Sequence, residues 1–389
     1  MVGKWLHNKL LWLLGTDIGV VLMSFLAMGF LGMLALNVSF LSPVANVMRE
    51  FSHTDVYYQV LQESGNVDTS QVVTIVDMTD LRQRGNIATV LERIEEQQPK
   101  VVGVDIVFEG LMYDTLSDHR LRELVQRYKD NVVFSYRMEE YIDEETGYAE
   151  DIHSFFVDEG IDVTEGYTDF DRNLYGGMKR SLSLKRNCRG EERTSLVSNI
   201  LARYTDGQID LDNRHDLTVN FRPTKFKVVS SDSVAFHPEL IAGRIVLFGA
   251  THENYDMHYT PLGKIAGIEL LAYSIETLLQ QKEVITLPGW LTAIIAFLVA
   301  LLSRKLIKAY MKFAKGLKNE VMSFFLTSLY VISLLVFAWG AYLLWMTFIV
   351  FWQWRININI GWGLAAIAFL AGAKEFCDLL AKMLKKAPK

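Results

Sequence analysis

Residues 321–354 include no charged side chain, and apolar residues resume at about 357 and continue to Ala373. About 20 mostly apolar residues cross the hydrocarbon of a bilayer. The first run is too long for one ordinary span, and Gln353, Arg355, Asn357 and Asn359 separate it from the second. The pattern predicts spans over 321–349 and 357–373, joined by a short outer turn at 350–356. Two more runs qualify, 18–40 and 286–303. The N-terminal run exceeds a signal-peptide core of roughly 7–15 residues and closes without a clean small-x-small site, so it reads as an uncleaved anchor. Asp17 sits at its inner edge, within reach of water. Trp290, Trp352, Trp354 and Trp362 fall near one face of such a bundle, where an aromatic belt belongs. The competing reading, buried helices of a soluble domain, fits these lengths poorly.

The formal net charge of −6 is unevenly divided. Residues outside 37–285 carry +10, which leaves −16 for the middle of the chain. Lys and Arg mark the cytoplasmic side of membrane proteins. The N-terminus (1–17), the loop 304–320 and the tail 374–389 are all basic, and four spans place all three on the same side. The expectation is therefore a bundle of four transmembrane helices with cytoplasmic termini, and residues 41–285 outside. An acidic outer domain argues against nucleic acid as a partner. Cys188 and Cys377 fall on opposite sides of the bilayer and cannot pair. The outer domain must hold together by its core rather than by disulfides.

That domain reads as α/β. Residues 41–70 suit a linker and a helix. Residues 71–78 (QVVTIVDM) and 100–108 (KVVGVDIVF) are apolar, β-branched strands carrying Asp77 and Asp105, and 131–135 (NVVFS) is a third. Helical spacing at 86–98 and 121–128 alternates with them, which predicts a mostly parallel sheet flanked by helices. Residues 178–185, 217–221 and 226–229 read as shorter strands, and 195–204 as an amphipathic helix. Residues 139–171 break the pattern, with 13 acidic residues and no Lys or Arg. A solvated insertion is the ordinary reading. A calcium site is the alternative, although no D-x-D-x-D-G loop occurs. Residues 245–248 then form a strand buried on both faces, ending at Gly249-Ala250. A polar loop with Asp256, His258 and Thr260-Pro261 follows. Gly267 opens a helix with Ile268, Leu271, Ile275 and Leu278 on one side. Residues 282–287 lead directly into the next span, so this helix is tied mechanically to the membrane.

No G-x-S-x-G, P-loop, H-E-x-x-H or C-x-x-C motif occurs. The chain is not read as an enzyme, and its residues name no cofactor. His252 and His258 flank Asp256, but a zinc ion there needs a ligand from elsewhere. Asp77 and Asp105 lie at or near strand ends, and Asp256 lies in the loop after the last strand. Ligands bind at that edge of open α/β sheets. With Gly249, Thr251 and Thr260, the three aspartates make a candidate ligand or cation pocket with no metal assigned. The more ordinary alternative is that each carboxylate caps a turn or helix start.

The segments VVTIVDM, VVGVDIVFEG, GYTDFDRNLYGGMKRSLSL, SLVSNILARY, LTVNFRP and GRIVLFGATHENYDMHYTPLGKIAGIELLAYSIETLL carry a family likeness. The last is the most specific: a strand, G-A-T, an Asp, T-P, then G-[VI]-E and a helix. Over most of 45–285 the chain resembles the second class of CHASE domain, the cyclase- and histidine-kinase-associated sensory extracellular module of bacteria. The resemblance implies an outward-facing sensor in the inner membrane that signals through its spans, three of which usually follow the domain. Only residues 374–389 follow the last predicted span here, too few for a cyclase, kinase or phosphodiesterase. The expectation is a sensor that relays its cue to a separate protein partner, with membrane lipid as its other neighbour. Its rivals are a structural or docking subunit of an envelope complex, and an outer-surface enzyme using the aspartates with a metal.

Overall fold

The computed structural model describes residues 2–37, 52–143, 146–170, 177–252 and 256–386. They divide into two compact units, Met1–Thr54 with Ile285–Lys389, and Asp55–Val284. The chain opens with α1 (Val2–Gly15) and α2 (Asp17–Asn37), and α3 (His53–Glu63) follows. Then come β1 (Asp68–Asp77), α4 (Arg84–Glu96), β2 (Val101–Val104), α5 (Thr115–Tyr128), β3 (Val132–Asp143), β4 (Gly147–Ile152), α6 (Phe155–Asp158) and β5 (Thr164–Tyr167). The next elements are β6 (Ser181–Ser183), β7 (Lys185–Cys188), β8 (Glu191–Thr194), α7 (Leu196–Tyr204), β9 (Asp216–Thr218), β10 (Thr224–Ser230) and β11 (Ile245–Gly249). A hairpin of β12 (Met257–Thr260) and β13 (Gly263–Ala266) leads into α8 (Gly267–Leu279). The chain closes with β14 (Ile285–Thr286), α9 (Gly289–Lys315), α10 (Glu320–Leu326), α11 (Leu329–Trp354), β15 (Ile356–Asn357) and α12 (Gly361–Lys386). The linker expected at 41–70 lies partly outside the described residues.

Unit 55–284 is built on a nine-stranded sheet in the order β10-β1-β11-β2-β3-β4-β7-β8, with β5 also paired to β3. Strands β10, β1, β11, β2, β3 and β5 pair in parallel, while β3–β4 and β7–β8 are antiparallel. The mostly parallel α/β arrangement read from the alternation is thus present. β11 is buried along its whole length, as a strand covered by helices on both faces must be. On one face, Ile87, Leu91 and Ile94 of α4 and Leu121 and Val125 of α5 share a core with Val76, Val104 and Phe248 of the sheet. α7 packs over β2, where Gly103 makes room for it: a Cβ there meets Ile200 Cδ1 at 2.3 Å. α4 and α5 are joined by Arg84, whose Nη1 lies 2.8 Å from Asp118 Oδ1 and also donates to the carbonyl of Gly110. The ion pair is buried, and it holds the loop that follows β2.

Two expectations change. The strand expected over 100–108 ends at Val104, because after Asp105 donates its N–H to Phe248 O the chain leaves the sheet. The described part of the acidic segment 139–171 is built into the sheet domain, while several of its carboxylates stay exposed. That part forms the end of β3, then β4, α6 and β5. Its carboxylates meet cations from elsewhere in the chain: Asp151 with Arg193, Glu159 with Arg122, Asp162 with Lys129, and Glu139 with Arg137. His153 is clasped at both ring nitrogens, Nδ1 2.6 Å from Glu165 Oε2 and Nε2 3.2 Å from Asp151 Oδ2. The ring of Tyr136 lies over it at 4.6 Å.

The other unit is a helical bundle. α12 packs on α2, α9 and α1 around Leu14, Val21, Ala300, Ala366, Leu370 and Cys377. α9 and α12 approach closely at Gly363, where a Cβ lies 3.3 Å from Ala296 Cα. Small residues permit such approach between apolar helices. At one end, β14 and β15 pair Ile285 with Ile356 and Thr286 with Asn357. Trp290, Trp352, Trp354 and Trp362 are all exposed near this end. Among the described residues, α9 and α11 are long and apolar enough to cross a membrane; the bent pair α1–α2 makes a third if counted as one span. α12 is apolar only to Ala373, after which Lys374, Glu375 and Asp378 intervene.

The expected boundaries also shift. The basic stretch 304–320 is helical as far as Lys315, consistent with the good helix propensity of Lys and Arg. The run 321–349 breaks at Thr327-Ser328, where Ser328 caps the start of α11. Most of the expected turn at 350–356 is helix, ended by Arg355 in the left-handed region at φ 58°.

Hydrogen bonding to Glu165, despite the opposing effect of burial, raises the pKa of His153 above 6.5. Stability from this contact is complete below the unfolded value and is lost as pH rises through the folded one. His153→Gln cannot become charged. Its deficit in unfolding temperature relative to wild type should be largest at pH 6 and should shrink as pH rises, in thermal melts of the purified protein.

Candidate functional site

The carboxyl edge of the sheet is set by backbone register. Asp77 pairs with Gly249 across β1 and β11, and Phe248 pairs with Val104 across β11 and β2. Asp77, Gly249 and Asp105 therefore stand in a row on three adjacent strand ends. Gly249 has no room for a side chain, since a Cβ meets Ile268 Cδ1 at 2.5 Å and Asp105 Cβ at 3.1 Å. This brings the start of α8 down onto the strand ends.

Asp77 does not face the other two aspartates as a partner. Its Oδ1 accepts from Thr79 N at 3.1 Å, Thr79 Oγ1 at 2.6 Å and Thr251 N at 3.1 Å. It thus clasps the loop after β1 to the loop after β11, the capping role weighed as the ordinary alternative. Burial opposes its charge, but the bonds from Thr79 and Thr251 outweigh burial and hold its carboxyl below the usual range. Thr251 contributes its backbone N–H here. Thr260 is buried in the β12–β13 turn, where its hydroxyl bonds to Gly263 O at 2.9 Å.

Asp105 and Asp256 do come together. Burial, then repulsion from Asp256 and Asp169, pushes the Asp105 carboxyl up to about 7, against attraction from His258. Asp256 behaves oppositely: it is exposed, and His258 Nε2, 3.0 Å from its Oδ1, holds it below the usual range, with further attraction from Lys179. His258 in turn packs on Phe170 at 5.7 Å. Asp256 is seated by Gly267, whose N–H donates to Asp256 O at 2.8 Å and where a Cβ meets Asp256 Oδ2 at 2.0 Å. One side of this edge thus carries a carboxylate fixed as an anion by its histidine and a second carboxyl able to exchange a proton near neutrality.

Asp169, Phe170 and Lys179 join the site without having been singled out from the sequence. The first two lie in the acidic run, and nothing local marks them. Segments 171–176 and 253–255, next in sequence to Phe170 and Asp256, lie outside the described residues. Among the described residues, no three His, Cys, Asp or Glu side chains are grouped to hold a metal ion. The calcium and zinc readings therefore find no ligand set there.

Fold and edge together define an α/β domain flanked in sequence by apolar helices, with Asp77, Asp105 and Asp256 at the strand-end edge of a mostly parallel sheet. The family model described as CHASE2 domain matches residues 23–304, most of the chain, and the chain belongs to that family. The family suggests an extracellular sensory domain of signalling proteins. No curated protein and no solved structure matches the chain.

A carboxyl with a raised folded pKa holds its proton more tightly in the folded protein, so stability falls as pH climbs from about 4 toward about 7. Asp105→Asn removes this component. The variant should match wild type near pH 4 and unfold several degrees higher at pH 8, by calorimetry across the pH range. Glu95, which burial also raises to about 7, contributes the same slope to both proteins.

Proposed function

We propose that the chain is a bacterial inner-membrane sensor. Its α/β domain, within residues 41–285, faces the extracytoplasmic side and relays a cue to a separate protein partner through four spans, formed by α2, α9, α11 and α12. The observation that carries this reading is the extent of the family match. It runs without a break from inside α2, through the whole sheet domain, to Arg304 in α9. Domain and flanking helices thus belong to one module. The division between an acidic middle and basic flanks supports the orientation, because Lys and Arg stay on the cytoplasmic side.

The cue is read at the strand edge by Asp105 and Asp256. Carboxylates there suit a ligand that donates hydrogen bonds or carries positive charge. Such a ligand shifts the domain between two states only by binding one more tightly, and the proton on Asp105 gives the edge two charge states to select. The domain has no catalytic role in this reading. Its cytoplasmic contacts are the basic end of α9 and the 374–389 tail, which meet a protein partner and anionic lipid.

Cys188 and Cys377 are both buried, so introduced cysteines report on their own position. In intact cells, Tyr113→Cys should react with a membrane-impermeant maleimide, while Lys382→Cys should react only after permeabilisation. The reverse pattern overturns the orientation. Affinity purification of the tagged chain from native membranes should retain a cytoplasmic protein. Recovery of only periplasmic partners in a fixed stoichiometry supports the docking-subunit reading instead.

A further inference from the structure

α1 ends at Gly15 and α2 begins at Asp17, across a bend of 89°. A helix set at right angles to a span runs along the bilayer surface. The side chains of α1 suit that position. The helix has no Asp or Glu, and its ionisable residues are Lys4, His7 and Lys9. Helical periodicity puts Trp5, Lys9 and Trp12 on one side and His7, Leu11 and Leu14 on the other. Leu14 is buried in the core it shares with Ala373 and Cys377 of α12. Trp5 and Trp12 are 59% and 67% exposed, and Lys9 Nζ lies 4.2 Å from the centre of the Trp5 ring.

The outward face of α1 is therefore aromatic with a cation beside it, the opposite of a water-facing helix. Indoles collect at the headgroup level of bilayers, and lysine at that depth draws anionic lipid. Asp17, at the bend, is held by Lys308 at 2.5 Å and Arg304 at 3.4 Å. These pairs anchor the elbow to α9 and neutralise the acid nearest to α1. We propose that α1 is a surface helix lying among anionic lipid headgroups, with Trp5 and Trp12 in the interface and Lys9 on lipid phosphate. The inference rests on α2 crossing the membrane, as in the reading above.

The full chain carrying a nitroxide at Trp5→Cys or Trp12→Cys, each with the other tryptophan retained, is placed in vesicles of phosphatidylcholine and phosphatidylglycerol. Collisions with oxygen, which enters the bilayer, are compared with collisions with a water-soluble nickel chelate. Oxygen should be favoured several-fold at both positions, and the chelate at Lys382→Cys. Chelate preference at positions 5 and 12 overturns the proposal. The oxygen preference should fall several-fold in phosphatidylcholine alone, and an equal preference in both vesicles overturns the choice of anionic lipid. The native tryptophans provide a check without labels. The emission lost in the Trp5→Phe/Trp12→Phe double variant isolates those two indoles; brominated lipid should quench that difference, and an unquenched difference overturns the proposal. Depth is read irrespective of which leaflet holds α1, so failure here is distinct from failure of the orientation, which maleimide labelling of intact cells decides.

Discussion

The sheet domain depends on one strand. β11 lies between β1 and β2, bonded in parallel register to both and closed off from water along its length. A buried strand in this position must satisfy its backbone groups on both sides, so its neighbours cannot slip without leaving buried N–H and C=O groups unpaired. That requirement fixes the three strand ends in a row. It also decides which loops can meet, those after β1, β2 and β11. Gly249 then lets α8 start directly above them, and Gly267 lets Asp256 rest on the first turn of that helix.

The electrostatics follow from this placement. Asp77, Asp105 and Asp256 are chemically alike and close in space, yet they have different duties. Asp77 is surrounded by donors and serves as a clasp. Asp256 has a histidine. For Asp105, burial and the neighbouring carboxylates of Asp256 and Asp169 outweigh the attraction of His258, so its proton is held more tightly. Carboxyls that differ this much divide structural from responsive work, because only a group titrating near neutrality can change charge under ordinary conditions.

The strands at 71–78, 131–135 and 245–248 were legible because both of their faces are covered, and such strands appear in sequence as unbroken apolar runs. α4, α5 and α8 were legible from their three- and four-residue spacing. The acidic stretch was not. Four of its carboxylates are met by Arg122, Lys129, Arg137 and Arg193, which lie outside it, and no window of sequence shows which cation a fold will bring to which anion. The same reason kept Asp169 and Lys179 out of the candidate site. Asp105 and Asp256 could be named because position beside a strand end or in the loop that follows it is a local property. The local half of Asp77's duty, its cap on Thr79, was open to sequence as the ordinary alternative, but its bond to Thr251, 174 residues away, was not. Among the apolar helices, composition located the greasy stretches but not their limits. Lysines extend a helix beyond the lipid as readily as leucines do within it, and Ser328 starts a new one inside an apolar run.

The two-residue ladder between β14 and β15 has a mechanical consequence. Ile285 and Thr286 immediately precede α9, while Ile356 and Asn357 join α11 to α12. A tug on the backbone at Val284 is thus not delivered to α9 alone. The paired backbone shares the load with the junction of the two later helices, so three rods take the strain together. The close seating of Gly363 on Ala296 ties α12 to α9 a second time, just beyond the ladder.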